Sequence, residues 1–140
     1  MDKVYKAKQL RRALQMFLES LTDESKMMEV ADIYPKYKLN IAYKIGDVFS
    51  FGTNSDGETQ LYQVLQDHTS AEQWKPNEAT SLYKAIGIEA DGTRVWTQPV
   101  GATDAYALND VVTHKGKRWK SIVNANVWEP GVYGWEEITT

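Results

Sequence analysis

Residues 43–51 read YKIGDVFSF, and residues 106–114 read YALNDVVTH. Both stretches begin with a tyrosine, contain a Gly-Asp or Asn-Asp pair and continue into a short run rich in apolar residues. A polar turn followed by such a run is typical of a β-strand that leaves a tight turn. The two stretches therefore predict the same local structure at two places in the chain.

A second predicted strand follows each of these stretches. Residues 61–65 (LYQVL) follow the first stretch after a turn-rich segment, and residues 118–123 (RWKSIV) follow the second after a tight Lys-Gly turn. Each pair of strands predicts an antiparallel hairpin. Residues 91–92 (DG) give a third hairpin signal between the two pairs.

Further landmarks recur in the same order after the two hairpins. The matched pairs are Tyr43 with Tyr106, Tyr62 with Trp119, Trp74 with Trp128, Pro76 with Pro130, and Tyr83 with Trp135. The difference in residue number between the two members of a pair decreases along the chain, and it does so only where a loop is predicted. Landmarks that keep their order in this way predict a duplicated module.

The N-terminal segment has helical periodicity instead. An amphipathic helix is predicted from the apolar stripe formed by Leu10, Leu14, Phe17, Leu18 and Leu21. Thr22 is the predicted N-cap of a second helix that ends before Pro35. Residues 1–35 therefore predict a helical hairpin. Because the second helix is short, we expect the stripe to mediate homo-oligomerisation as well.

The predicted fold class is α+β, with an N-terminal helical hairpin followed by two small antiparallel β modules related by an internal repeat. Residues 1–40 are the predicted attachment and oligomerisation segment. Residues 41–86 form the first predicted module. Residues 87–140 are predicted to contain a hairpin linker and the second module.

Composition argues against several classes of partner and site. The chain has 16 Lys plus Arg and 19 Asp plus Glu, a net charge of −3, which argues against general nucleic-acid binding. It has no cysteine, so disulfides and thiolate metal sites are excluded. Residues 1–21 contain no apolar run of signal-peptide or membrane-spanning length. We therefore expect neither a nucleic-acid nor a membrane partner, and no signal peptide.

The aromatic residues are unusual in kind. There are five Trp and eight Tyr but only three Phe. Aromatic rings with a polar tip suit binding surfaces, because one part of the ring stays apolar while the other contacts water. The alternative is that small β modules need large rings to fill thin cores. The composition alone leaves both roles open.

Residues that would support catalysis or metal binding are not arranged for it. His68 and His114 occupy non-equivalent positions in the two modules, which favours hydrogen-bonded turn histidines over a metal pair. Glu136 and Glu137 are adjacent, so in a strand they would point to opposite faces, unlike the two carboxylates of a glycosidase. The sequence has no nucleophile, phosphate-loop or dinucleotide motif. We therefore expect no enzyme activity, catalytic residue, metal or cofactor.

The order of these motifs resembles the chitin-binding type of carbohydrate-binding module that is appended to chitinases. The first copy is the closer match, through its Gly-Asp-Val at 46–48, His-Thr-Ser at 68–70 and Trp-Lys-Pro at 74–76. The second copy resembles the variant found in tail-associated proteins of phages and prophages of Gram-positive bacteria. Residues 1–40 also resemble the start of such proteins. Tyr83 stands where the resemblance implies a closing Trp.

The resemblance implies a tandem, non-catalytic binding protein in a phage or prophage virion, in the tail or baseplate. Its implied partners are a cell-wall or chitin-like polysaccharide and other virion proteins. The implied carbohydrate-binding residues are Trp74, Trp128 and Tyr133. The alternatives are that each Trp folds back as core, or that the modules pack against virion proteins and bind no sugar. The expected location is virion or extracellular.

Overall fold

The computed structural model describes residues 3–54, 57–89 and 91–139. The fold is mixed α+β, with one long helix and several small, mainly antiparallel sheets. The helices are α1 (Lys3–Ser20), α2 (Glu24–Glu29) and a 3-10 helix (Ala31–Ile33). The strands are β1 (Ala42–Tyr43), β2 (Val48–Thr53), β3 (Thr59–Val64), β4 (His68–Thr69), β5 (Tyr83–Ala85), β6 (Arg94–Val95), β7 (Val111–His114), β8 (Lys117–Ser121) and β9 (Trp135–Ile138).

The predicted helical hairpin is not confirmed, because α1 is the only long helix among the described residues. α2 has six residues and is followed by a single 3-10 turn. Its N-cap is Asp23, whose carboxylate accepts a hydrogen bond from the Ser25 N–H at 2.9 Å, so the prediction of Thr22 as the cap is wrong. A carboxylate caps as well as a hydroxyl and also favours the positive end of the helix dipole.

Most of the apolar stripe on α1 is exposed. Leu18 is only 9% exposed and packs with Met27 and Ala31 against Leu61 of β3. The other large side chains of the α1 stripe, Leu10, Leu14 and Phe17, remain exposed. α1 is therefore held to the rest of the chain at its C-terminal end. Within the described ranges, no helix has the length and apolar character needed to cross a membrane.

β2, β3 and β5 form a three-stranded antiparallel sheet in that order. Phe49 lies opposite Tyr62, and Val64 lies opposite Tyr83. These four side chains are buried in one cluster with Tyr43. The first predicted hairpin is thus present, and its core is built mainly from aromatic rings.

β7, β8 and β9 form a second antiparallel arrangement in a four-stranded sheet. Val112 lies opposite Trp119, and Ser121 lies opposite Trp135. Val112 and Trp135 are buried in one cluster, and Trp119 packs partly buried against it. β9 therefore supplies to this sheet the large ring that β5 supplies to the other.

The two predicted Gly-containing turns are tight. Lys115 and Gly116 both have positive φ angles, 51° and 79°, as a two-residue hairpin turn requires. Ile88 and Arg94 form an antiparallel bridge across the other turn. Short loops of this kind bring the flanking strands together directly.

Each of the two larger sheets also has a parallel pairing that was not predicted. β6 pairs with β7 in parallel, with Val95 opposite Thr113. Lys36 forms a parallel bridge with Ser50 of β2. The segment before each hairpin is therefore attached to the outer side of its first strand.

The turns that lead into β2 and β7 share one hydrogen-bond pattern. The carboxylates of Asp47 and Asp110 each accept the backbone N–H three residues before them, at 2.9 and 2.8 Å. Gly46 and Asn109, which precede these acids, have positive φ angles of 93° and 78°. The Gly-Asp and Asn-Asp pairs therefore serve the same local purpose.

Alkaline pH is expected to destabilise the fold through its buried tyrosines. Burial raises the pKa of Tyr83 strongly, because the phenolate is costly to desolvate. In the unfolded chain a tyrosine hydroxyl loses its proton above about pH 10, whereas the buried hydroxyl in the folded chain keeps it. The free energy of unfolding therefore falls as pH rises past that value. Other tyrosines whose pKa is raised mainly by burial are Tyr34, Tyr43, Tyr62 and Tyr106.

Urea unfolding between pH 8 and pH 11.5 measures this effect. Tyr83→Phe is expected to reduce the loss of unfolding free energy across this interval, at most by about 1.4 kcal/mol per pH unit for one proton. An equal dependence on pH in the variant and the parent would contradict the assignment.

Candidate functional site

Trp74 lies on the loop between β4 and β5 and is 43% exposed. Its backbone N–H donates a hydrogen bond to the Ala71 carbonyl at 3.1 Å. Pro76, two residues later, is fully buried. The buried proline anchors the loop and restricts its backbone, so the indole is presented to solvent from a constrained support.

Trp128 lies on the loop between β8 and β9 and is 42% exposed. Its backbone N–H donates to the Asn126 side-chain oxygen at 3.1 Å. Its backbone carbonyl accepts from the Trp135 indole N–H at 2.8 Å. Pro130 is buried. The two Trp-x-Pro segments thus combine an exposed indole with a buried proline, although different hydrogen bonds hold them.

Tyr133 contacts Trp128 and is 57% exposed. The two ring centroids are 4.8 Å apart and the rings are nearly perpendicular. This pair presents one continuous aromatic surface. Backbone pairing aligns the residue after Tyr133 with Leu82, so Ser81 takes the place of Tyr133 in the first loop. The structure therefore brings Trp128 and Tyr133 together, and among the residues that it describes no second ring is paired with Trp74.

Glu129, the residue after Trp128, connects this loop to the end of β7. Glu129 accepts hydrogen bonds from His114 at 2.9 Å and Lys115 at 3.4 Å. The hydrogen bond from His114, followed by that from Lys115, lowers the pKa of Glu129. Its carboxylate therefore remains ionised, and two donors orient it toward the end of β7.

Asn126 supports the Trp128 loop from below. It is fully buried, and its amide donates to the Ser121 hydroxyl at 3.0 Å and the Gly134 carbonyl at 2.8 Å. Its oxygen accepts the Trp128 N–H. The two amide bonds attach the loop to the end of β8 and to the residue before β9, and the third orders the backbone at Trp128.

Asn126→Ala is therefore expected to lower the free energy of unfolding by about 2–3 kcal/mol, since it leaves buried groups unpaired. Hydrogen exchange of the Trp128 amide should accelerate at the same time. Asn124→Ala is the matched control, because Asn124 is exposed and its side chain accepts a long bond from the Leu108 N–H at 3.3 Å. Equal effects of the two substitutions would show that Asn126 does not hold the loop.

The histidines are engaged in separate hydrogen bonds. His68 Nδ1 lies 2.7 Å from the Gln66 carbonyl, which can only accept, and Nε2 lies 2.7 Å from the Tyr83 hydroxyl. His114 bonds to Glu129. Within the described part of the chain, no group of three or more His, Cys, Asp or Glu residues is placed to hold a metal ion.

The remaining matched aromatics lie inside the modules. Tyr62, Tyr83 and Trp135 are buried, and Trp119 is half-buried. Glu136 and Glu137 are both exposed on β9, and Glu137 pairs with Lys117 at 3.3 Å. These residues therefore contribute to packing and surface charge.

Sequence reasoning missed a second exposed apolar set. Ile45 and Leu65 are exposed in the first module, and Leu108 and Ile122 are exposed at the corresponding positions in the second. The Ile45 and Leu108 amides donate to side-chain oxygens of Asp67 and Asn124, respectively. Strand alternation gave no clear signal for this set, because it places Leu65 on the same face as Leu61, which is fully buried.

Comparison with protein-family models and with curated proteins finds no match to this chain. A functional assignment therefore depends on the residues and geometry described above.

Proposed function

We propose that the chain is a non-catalytic phage or prophage virion protein, in the tail or baseplate, that binds host cell-wall or chitin-like glycan through exposed aromatics. The proposed carbohydrate-binding residues are Trp74, Trp128 and Tyr133. The observation that carries the proposal is the pair of exposed indoles, each followed by a buried proline.

Stacking on sugar is the chemistry that this arrangement suits. A pyranose ring has an apolar C–H face that packs against an indole, while its hydroxyl groups need hydrogen-bond partners. Trp128 and Tyr133 supply two rings in contact, and Glu129, the residue after Trp128, is an ionised acceptor on the same loop. A loop that is already ordered loses little entropy on binding.

We further propose that the two modules are copies of one unit. Beyond the shared turn pattern, the Gly46 N–H donates to the Val64 carbonyl at 2.9 Å, and the Asn109 N–H donates to that of Ser121 at 2.8 Å. The Leu65 and Ile122 N–H groups likewise donate to the backbone carbonyls of the residues immediately before Tyr83 and Trp135. Matching hydrogen bonds at matched landmarks support duplication, because unrelated hairpins need not share register.

Two linked sites would raise avidity without new contacts at either site. Self-association through the α1 stripe would multiply the sites again, and we propose it as the oligomerising and virion-docking element. Its exposed apolar side chains are the supporting observation.

The alternative is a purely structural virion protein whose modules pack against other proteins and bind no sugar. The exposed residues Ile45 and Leu108 favour it, because apolar side chains repeated on two modules also suit protein packing.

Retention of the full chain on insoluble chitin and on purified Gram-positive cell wall separates the two functions. The glycan proposal expects saturable retention on at least one polymer, with competition by soluble fragments of it. No retention on either polymer would refute it and leave the structural alternative.

A further inference from the structure

A large groove lies where the N-terminal helical segment meets both modules. It has a volume of about 1110 Å³ and is bordered by the segment around α2, the β2–β3 turn and the loop that follows β6. Ile33 and Val100 on its border are exposed, and Val100 is 97% exposed. The groove therefore offers exposed apolar side chains that an amphipathic partner can cover.

The groove is also acidic. Glu58 pairs with Arg94 at 3.8 Å, and Arg94 is the only basic residue among the described residues that line the groove. The acidic residues that line it are Glu29, Asp32, Glu58, Asp104 and Asp110. A partner that fills the groove should thus combine an apolar face with positive charge.

α1 has those two properties. Leu10, Leu14 and Phe17 lie on one exposed face, and Lys6 and Arg11 precede Leu10 and Leu14 by four and three residues, which places them beside that face. α1 carries one acidic residue, Glu19, and its basic residues are Lys3, Lys6, Lys8, Arg11 and Arg12. The acidic excess of the chain therefore lies outside the helix.

We propose that the groove binds α1 of a second copy of this chain. The α1 of the same chain is held elsewhere, because Leu18 at its end is buried against Met27, Ala31 and Leu61. An amphipathic helix in an apolar groove is a common mode of recognition. The helix and the groove carry opposite charges, which favours binding of the helix in the groove. Two basic helices would repel each other, so direct helix–helix pairing is disfavoured.

This inference rests on the self-association in the proposed function and names the surface that receives the helix. Each copy offers one helix and one groove, so two copies that exchange helices form a closed two-fold dimer, whereas exchange with successive copies would build an open chain. We propose the closed dimer. It also predicts that the dimer weakens as salt rises, because the charges lie at a partly exposed surface.

Sedimentation of the full chain tests the pairing through charge reversal. Lys6→Glu/Arg11→Glu and, separately, Glu29→Lys/Glu58→Lys are each expected to raise the dimer dissociation constant at least about tenfold. The chain with all four changes should return to within about threefold of the parent. Glu has nearly the same helix propensity as Lys and Arg, so the first variant is expected to keep α1 folded, which circular dichroism checks.

Glu72→Lys/Glu136→Lys is the matched control, because both residues are exposed and lie outside the groove. It changes net charge as much as the groove variant and should leave the dimer unchanged. A helix variant that dissociates while the groove variant does not would overturn this inference and leave self-association standing. Failure of the combined variant to recover would overturn it as well.

A parent chain that stays monomeric at all concentrations would overturn both the self-association and this inference. Vesicles of anionic phospholipid then supply the second arm of the test. Binding of the monomer to them through Lys6 and Arg11 would assign the basic helix to a lipid surface.

Discussion

Trp135→Ala is expected to unfold the sheet that contains β7, β8 and β9. The Trp135 ring packs with Tyr106 at 5.2 Å and is 8% exposed, and its N–H donates to the Trp128 carbonyl. Truncating a buried aromatic of this size costs about 3–5 kcal/mol. A module this small has little further core to offset that loss.

Hydrogen exchange measures this loss separately for each sheet. Amides of β8 should exchange about a hundredfold faster or more in Trp135→Ala, while those of β3 change far less. Tyr133→Ala is the control, since Tyr133 is a nearby exposed ring, and it should leave the β8 amides protected. Unchanged β8 exchange in Trp135→Ala would remove Trp135 from the core role.

Trp128→Ala is expected to lower glycan affinity several-fold to about thirtyfold. Loss of one ring contact corresponds to about 1–2 kcal/mol. The fold should persist, because Trp128 is 42% exposed and makes its hydrogen bonds through backbone atoms that alanine keeps. Titration of the full chain with soluble fragments of the retained polymer gives the affinity.

Tyr133→Ala should weaken binding in the same direction if the two rings form one surface. Ser81→Tyr is the complementary change, because it places a ring where the first loop has none. It should strengthen binding at the Trp74 loop. Unaltered affinity in both Trp128→Ala and Tyr133→Ala would exclude this pair as the sugar site.

The strand pairs were predictable because their signals are local. YKIGDVFSF and YALNDVVTH each join a turn to a strand, and the turns fix which residues face each other. The exposure of Trp74 and Trp128 was expected from the resemblance alone, and the structure confirms it, but the residue types by themselves left it open. An indole suits a core as well as a binding surface, and only the burial of the neighbouring prolines shows that each loop is anchored through Pro76 or Pro130.

The helical hairpin failed as a prediction for a tertiary reason. Met27 and Ala31 have helical spacing, but they pack with Leu61 and Ile86 beside β3 and cover the first module. Periodicity predicts an apolar face without showing which part of the fold, if any, covers that face. The groove was not predictable from the sequence either, because its walls come from segments that are far apart in the chain.

Retention of the Trp74→Ala/Trp128→Ala variant on chitin and cell wall, with thermal unfolding of the same sample, tests the central claim most directly. Tyr5→Ala is the control, because it removes an exposed ring on α1, outside both modules. The account predicts that the parent and Tyr5→Ala are retained, and that the double variant melts like the parent but is washed off. Equal retention of a normally folded double variant would contradict it.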